Sequence, residues 1–360
     1  MTISTSSPSA TPWLIRISKN FEHFSDEIIA ELGATLTKRL AEEYFLIQLP
    51  DPSAVSKTNA ARYIRWNLPM DHAWPCNPEK MEGFIEKAAQ SLLKKFEKLD
   101  LQSVLMGPLD PSSRRGYYKS LATNLRGRTV PLFSTDLAKQ KDPEEQNPKQ
   151  KSLYCLVGKE GLFCGIRSPQ KANGFYPGGT KFISQKAPHT ISRAGAKIAE
   201  ALHYLKLHQA LPQKGSHWLE LGACPGGMTA ELLERGYRVM AIDRAPLDRR
   251  LNGRDGLQFK KTDVTRYQPT SHSNFDAVLC DMNGDAQVAV GQLIRLSRNL
   301  RARGLVVYTL KTGGASTYTE TNELYNWAVA SMAAAGLKLI AGTHLTYNRH
   351  EFTLFFERGA

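Results

Sequence analysis

The stretch His217-Trp-Leu-Glu-Leu-Gly-Ala-Cys-Pro-Gly-Gly-Met228 decides how this chain folds. A short apolar run meets a turn holding three glycines and a proline, and a helix-like run follows from Thr229 to Arg235. A strand that feeds a helix through a glycine-rich turn is the corner at which α/β proteins bind nucleotides. The dinucleotide fingerprint places its glycines first, third and sixth in that turn. Here Gly222, Gly226 and Gly227 stand first, fifth and sixth, so the fingerprint fails and a dehydrogenase is disfavoured. Glu220 stands just before the turn, and Asp243 ends the next apolar run, 237–242. Two acids suit a ligand with a cationic end and a ribose better than they suit a pyrophosphate, and S-adenosylmethionine is such a ligand.

Around this corner the chain alternates between helical and strand-like patterns. Arg193 to Leu211 has Ala194, Ile198, Ala201, Leu202 and Leu205 on one side. Apolar runs lie at 217–221, 237–242, 275–280, 304–310, 337–341 and 352–356, with helical patterns at 226–235, 285–302 and 320–335. The alternation predicts an α/β class, Rossmann-like domain over 181–360 with a doubly wound, mainly parallel, seven-stranded sheet. The last two runs have no helix between them, which implies an antiparallel closing strand. Ligands of such sheets bind outside the carboxyl ends of the strands. The polar residues at those ends are Glu220, Asp243, Asp263, Asp281 in Ala277-Val-Leu-Cys-Asp281, and Lys311 in Val306-Val-Tyr-Thr-Leu-Lys311. A lysine closing a buried run costs several kcal/mol unless it has a partner.

The front of the chain reads as two small α+β units, residues 1–75 and 76–180. The first has strands at 13–17 and 44–49 and a helical spacing over 21–40. The second has an amphipathic helix from Met81 to Leu99 and a hairpin over 152–166 around Gly158-Lys-Glu-Gly161. Met1 to Pro12 lacks the basic and apolar regions of a signal peptide, and no apolar run is long enough for a membrane span. The expectation is a cytoplasmic protein without a membrane partner. The five cysteines contain no C-x-x-C pair, so they read as reduced thiols, with no metal site expected. The net charge of +13 is uneven. Residues 1–150 hold 20 Lys and Arg against 18 Asp and Glu, whereas 151–360 hold 27 against 16. A basic excess concentrated beside the glycine corner points to a nucleic acid, although it also serves solubility.

From about Lys186 to Glu357 the chain resembles the FtsJ-like family of ribose 2′-O-methyltransferases. The resemblance rests on four residues in order. Ser192-Arg-Ala-Gly-Ala-Lys197 matches the context of that family's first lysine, before the glycine corner. Asp281 matches its aspartate, Lys311 its second lysine, and Asn348-Arg-His-Glu351, followed by Phe-Thr-Leu-Phe-Phe, its glutamate. Within the family, Leu-Gly-Ala-Cys-Pro-Gly-Gly and Val278-Leu-Cys-Asp-Met282 look like the group acting on a cytidine of large-subunit (23S) ribosomal RNA. That group implies a ferredoxin-like domain and then an RNA-binding THUMP domain in front, compatible with 1–75 and 76–180. The sequence departs from the family at Met228, where a tryptophan is common, and in the glycine-rich Thr312-Gly-Gly-Ala-Ser316.

The resemblance implies catalysis by Lys197, Asp281, Lys311 and Glu351, with no metal required. Lys311 is the candidate base, with Lys197 as the neighbouring cation that would lower its pKa while Asp281 and Glu351 raise it. The alternative is that Lys311 steers a hydroxyl that loses its proton late. S-adenosylmethionine is expected at Ser192, Gly222, Cys224, Pro225, Gly226, Gly227, Met228, Asp243, Asp263 and Asp281. RNA is expected at Lys171, Lys181, Lys186 and Arg193, interleaved with Phe175, Tyr176 and Phe182, a pattern that also suits a basic linker packed by its aromatics. Cys224 and Cys280 read as small buried hydrophobes. A monomer is favoured. Methylation of another RNA (tRNA or a cap) and a catalytically silent RNA-binding or assembly protein are the other readings.

Overall fold

Strand alternation at Trp13-Leu-Ile-Arg-Ile17 opens the first sheet of the computed structural model, which describes residues 10–110, 116–133, 137, 143–184, 190–270 and 274–360. Thr11–Ile17 (β1), Thr35–Leu40 (β2), Tyr44–Leu49 (β3) and Ile64–Pro69 (β4) pair antiparallel in the order β2-β3-β1-β4. The helix expected over 21–40 is cut short. A 3-10 turn, Lys19–Phe24, leads into the helix Ser25–Glu31, and β2 follows. Gly33 at φ +63 turns the chain out of the helix, and Thr35 and Thr37 favour the extended backbone beyond it. Leu36, counted in the helical spacing, is instead exposed on β2.

His72–Pro75 (β5), Ser103–Pro108 (β6), Ser152–Gly158 (β7) and Gly161–Arg167 (β8) form a second sheet in the order β5-β8-β7-β6. The expected hairpin is β7–β8, closed at Gly158 and Gly161. β5 lies before residue 76 yet pairs with β8, so it belongs to the second sheet. The helix Phe84–Phe96 packs its Ala88, Leu92 and Phe96 against Leu153, Cys155 and Cys164. Leu14, Trp66 and Leu68 of the first sheet share one apolar cluster with Leu105, Tyr154 and Phe163 of the second. Met1–Thr180 accordingly forms one compact unit, and Lys181–Ala360 forms another.

The second unit holds His217–Leu221 (β9), Arg238–Asp243 (β10), Leu257–Lys261 (β11), Phe275–Cys280 (β12), Leu300–Lys311 (β13), Leu337–Thr343 (β14) and Glu351–Arg358 (β15). Their order is β11-β10-β9-β12-β13-β15-β14. β11, β10, β9, β12 and β13 run parallel, and β15 inserts antiparallel between β13 and β14. β11 has no counterpart among the apolar runs because it is an edge strand, with only Leu257 and Phe259 turned partly inward. The helix expected over 285–302 ends at Ser297, and β13 starts at Leu300. Trp218, Val278, Val306 and Phe355 are fully covered, each contributing roughly 1.5–3 kcal/mol by burial. The chain leaves β9 toward β10 on one side and later returns to β12 on the other. A crevice therefore opens beyond the carboxyl end of β9. Among the described residues no helix is long and apolar enough to cross a membrane.

Candidate active site

The glycine corner closes around this crevice. Gly222 follows β9 at φ +80, and a Cβ there would stand 3.1 Å from Met282 Cα. The next helix, Gly227–Glu234, begins so close to the preceding one, Ala194–Leu205, that a Cβ on Gly227 would lie 2.1 Å from Ser192 Oγ. A side chain at Gly222 would be strained by its positive φ and crowded by Met282, and one at Gly227 would force Ser192 to shift. A cavity of about 520 Å³ results, lined by Gly222, Cys224, Pro225, Gly227, Met228, Asp243, Asp263 and Asp281. Ser192 and Gly226, also expected there, are not on its wall. Ser192 packs behind Gly227, and Gly226, at φ +104, faces Leu251. Arg244, Thr265, Met282 and Asn283 line the cavity without having been foreseen. Each directly follows a strand-end acid, or lies two residues beyond one, so the rule that found Asp243, Asp263 and Asp281 extends to them.

The acids of this cavity are held by the backbone. Asp243 accepts from Cys224 N at 2.9 Å and from Ala245 N at 2.8 Å. Asp263 Oδ1 accepts from Thr265 N and Oγ1 at 2.9 and 2.7 Å, and these bonds hold its carboxyl below the usual range. Glu220 is different. It is fully buried, and burial pushes its carboxyl up to about 8, against a hydrogen bond from Thr229 Oγ1 at 2.7 Å. Cys280 is buried as expected, with its thiol pushed up to about 12 by burial. Cys224, expected to be buried, is exposed at the turn, where its Sγ donates to Pro246 O.

A second constellation stands beside the cavity. Lys311 ends β13 directly opposite Glu351, the first residue of β15. Lys311 Nζ donates to Asp281 Oδ1 at 2.6 Å and to Glu351 Oε2 at 2.7 Å. Lys197, from the helix Ala194–Leu205, pairs with Glu351 Oε1 and lies 3.6 Å from Asp281 Oδ2. Two lysines and two acids thus close a ring from four separate elements. Burial pulls the Lys311 ammonium down, but Asp281 and Glu351 outweigh it and the net shift is upward. Burial pushes Glu351 up, yet Lys311 and Lys197 overturn it and hold the carboxyl at about 2. The resting ring therefore keeps Lys311 as an ammonium.

The ring has its own supports. Asn348 is buried, donates to Glu351 Oε1 at 3.1 Å, and accepts from Leu345 N and Thr353 Oγ1. Glu200, one turn beyond Lys197 and fully buried, accepts from Thr346 Oγ1 at 2.7 Å and Tyr347 N at 3.3 Å. It ties the 344–350 loop to the helix that carries Lys197. The sequence reading quoted Asn348 only as context and passed over Glu200, whose carboxylate looks like any other on a helix. His350 is exposed and lines the same groove as Glu351.

Of the expected RNA contacts, Lys171 lies in the first unit, on the short helix Pro169–Ala172, and Lys181 and Arg193 in the second. Lys186 lies outside the described residues. The aromatics interleaved with them divide. Phe175 is a core residue and Tyr176 donates to Glu144, whereas Phe182 is 68% exposed.

Residues 190–313 match the family model described as FtsJ-like methyltransferase. A "Ribosomal RNA large subunit methyltransferase M" from Halorhodospira halophila is 31% identical over 169 residues, 47% of this chain and 48% of that relative. The chain thus spans about half the length of that relative. One of the same name from Shewanella loihica is 26% identical over 291 residues, 74% of this chain and 77% of the relative. Among solved structures, TrmN from Thermus thermophilus is 15% identical, with a TM-score of 0.38, covering 96% of this chain and 99% of that one. Over residues 190–313, which hold the glycine corner and the strand ends beside it, the chain is thus similar to the FtsJ-like methyltransferases.

Proposed function

We propose that this protein is an S-adenosylmethionine-dependent RNA ribose 2′-O-methyltransferase, acting on a cytidine of large-subunit (23S) ribosomal RNA through Lys197, Asp281, Lys311 and Glu351. One observation carries the reading. Asp281 lines the cavity at the glycine corner, while Lys311 and Glu351 line a neighbouring groove of about 870 Å³. The ring is therefore the partition between a donor cavity and an acceptor groove, the arrangement in-line transfer needs. The relatives' printed name supports the acceptor being large-subunit ribosomal RNA.

The donor cavity fits the cofactor. The backbone from Gly222 to Gly227 admits the methionine part, Asp243 has lone pairs left for ribose hydroxyls, and Asp263 for the adenine amine. S-adenosylmethionine, when bound, supplies a methyl already activated by its sulfonium. Lys311 uses two of its three N–H groups on Asp281 and Glu351, and the third serves the ribose 2′-oxygen. As an ammonium, Lys311 would steer and stabilise the oxygen; as the C–O bond forms, the methyl–sulfur bond would break with its electron pair going to sulfur, and the hydroxyl proton, made acidic by that bond, would pass to solvent water. This favours late proton loss over Lys311 as the base.

RNA phosphates are assigned to Lys171, Lys181, Lys186 and Arg193. The strand order β2-β3-β1-β4, with helical segments after β1 and β3, supports the ferredoxin-like reading of residues 1–75, and residues 76–180 are assigned as THUMP-like. A cytoplasmic monomer completes the proposal. The test is to incubate the protein with labelled S-adenosylmethionine and unmodified ribosomal RNA and to map 2′-O-methyls. Transfer to a single large-subunit cytidine, lost in Lys311→Ala, is expected. Absence of transfer to any RNA, with cofactor binding intact, would sink the enzyme reading.

A further inference from the structure

The acceptor groove carries more chemistry than the ring requires. Lys311 and Glu351 form one end of it, and it continues along the helix Tyr318–Ala334 to Leu324 and Trp327. Trp327 is 37% exposed, an unusual position for an indole. Trp13, Trp66 and Trp218 are buried, and Trp74 is half-buried, stacked on Phe84. Leu324 and Trp327 stand three apart on one helix face, which explains how both reach the same groove.

The charges in the groove say what could lie against that indole. Glu351 is neutralised by Lys311 and Lys197, which leaves Asp285, Glu320 and Glu323 on the walls against Arg349. Glu320 is committed to the capping box at Thr317, and the hydrogen bonds it accepts from Ser316 and Thr317 hold its carboxyl below the usual range. It therefore remains anionic near neutral pH. A wall of carboxylates repels phosphates, so an RNA backbone does not run along this face. A nucleobase carries no charge, brings N–H donors for carboxylates, and offers a π-face to an indole.

We propose that this groove takes the base of the acceptor nucleotide, unstacked from its neighbours, and that Trp327 is the surface on which it stacks. The inference rests on the reading of the ring as the methyl-transfer site. Base stacking outside the helix gives the enzyme a purchase on the nucleotide without contact to the reacting oxygen. It places the ribose of that same nucleotide against Lys311. Trp327 is thus a base-binding residue, and the chemistry stays with the ring.

The test uses the full-length protein and two readouts. In the first, tryptophan fluorescence is followed while a single-stranded oligocytidylate is added. Quenching is expected, because an exposed indole stacked on a base loses emission, and Trp327→Phe should abolish the quench. A quench of equal size in Trp327→Phe would overturn the proposal, as would no quench in the unaltered protein. In the second, kcat/KM for ribosomal RNA should fall about tenfold to hundredfold in Trp327→Ala. Trp327→Phe, which keeps a stacking ring, should stay within a few-fold of the parent, and S-adenosylmethionine affinity should be unchanged in both. A Trp327→Ala protein with undiminished kcat/KM would also overturn it. Should the protein transfer no methyl to any RNA while the Trp327-dependent quench persists, the assigned reaction falls and the base site stands.

Discussion

Lys311 is the residue whose chemistry the fold changed most. As a lone strand-end lysine it suggested a base, yet between Asp281 and Glu351 its ammonium is favoured over the neutral amine. If Lys311 acts as an ammonium, the single-turnover rate should stay flat from about pH 7 to pH 10, the range below its ordinary pKa. A tenfold rise per pH unit over that range would instead mean a neutral-lysine base. Glu351 sets the opposite limit. Its folded carboxyl titrates near 2 against an ordinary 4.5, so its stabilisation is present above 4.5 and lost as pH falls toward 2. Glu351→Gln should lower stability by about 3 kcal/mol at neutral pH, by removing the partner of two lysines. It should also flatten the acid limb of a denaturation profile. Glu220 runs the other way. With its folded carboxyl raised to about 8, its contribution is full below 4.5 and fades as pH rises through 8. Glu220→Gln should therefore remove a loss of Tm between those values; an unchanged alkaline slope would refute the assignment. Asp281, Lys311 and Glu351 were legible because they stand at strand ends, whereas Lys197, inside the helix Ala194–Leu205, was picked out only by the family resemblance. Asn348 and Glu200 were not, because their value lies in partners far along the chain.

The strand-to-helix turns do the positioning. Gly222 sits at a positive φ, and a Cβ there would press on Met282 at 3.1 Å. Gly222→Ala should fold with reduced stability and lose most of its S-adenosylmethionine affinity in calorimetric titration, while Gly253→Ala, strained at φ +72 but with open space around it, should keep that affinity. Asp263 caps the turn Val264–Arg266 through Thr265. Asp263→Ala should lose this cap and loosen the turn, in addition to weakening cofactor binding. The sequence pattern located the long helices and the central strands, where apolar periodicity is strong. It overran at Phe21 to Leu40, where Gly33 and the threonines outweighed a helical spacing, and at 298–302, where Leu300 starts β13. It passed over β11, since an edge strand buries too little to leave an apolar run.

Across the whole chain the charge is the feature available to experiment. The +13 net charge sits mostly after residue 150, and neutralised phosphates release counterions on binding. RNA affinity should fall about a thousandfold or more between roughly 50 and 200 mM salt if six or more phosphates are contacted. S-adenosylmethionine affinity should change little over the same range, because a ligand of net charge +1 displaces few counterions. A salt-insensitive RNA affinity would remove phosphate contacts from the account.

The sequence by itself determined the α/β sheet, the glycine corner and the identity of the acids and lysines at the strand ends. These follow from local periodicity and from the residue types that turns demand. Tertiary structure alone decided that β15 inserts between β13 and β14, which sets Glu351 opposite Lys311. It alone made Asp281 face one cavity while Lys311 and Glu351 face another, and it alone fixed the sign of the Lys311 shift. Those outcomes depend on distances between residues far apart in the chain, and Coulomb energies and burial are functions of distance, which a linear order does not contain.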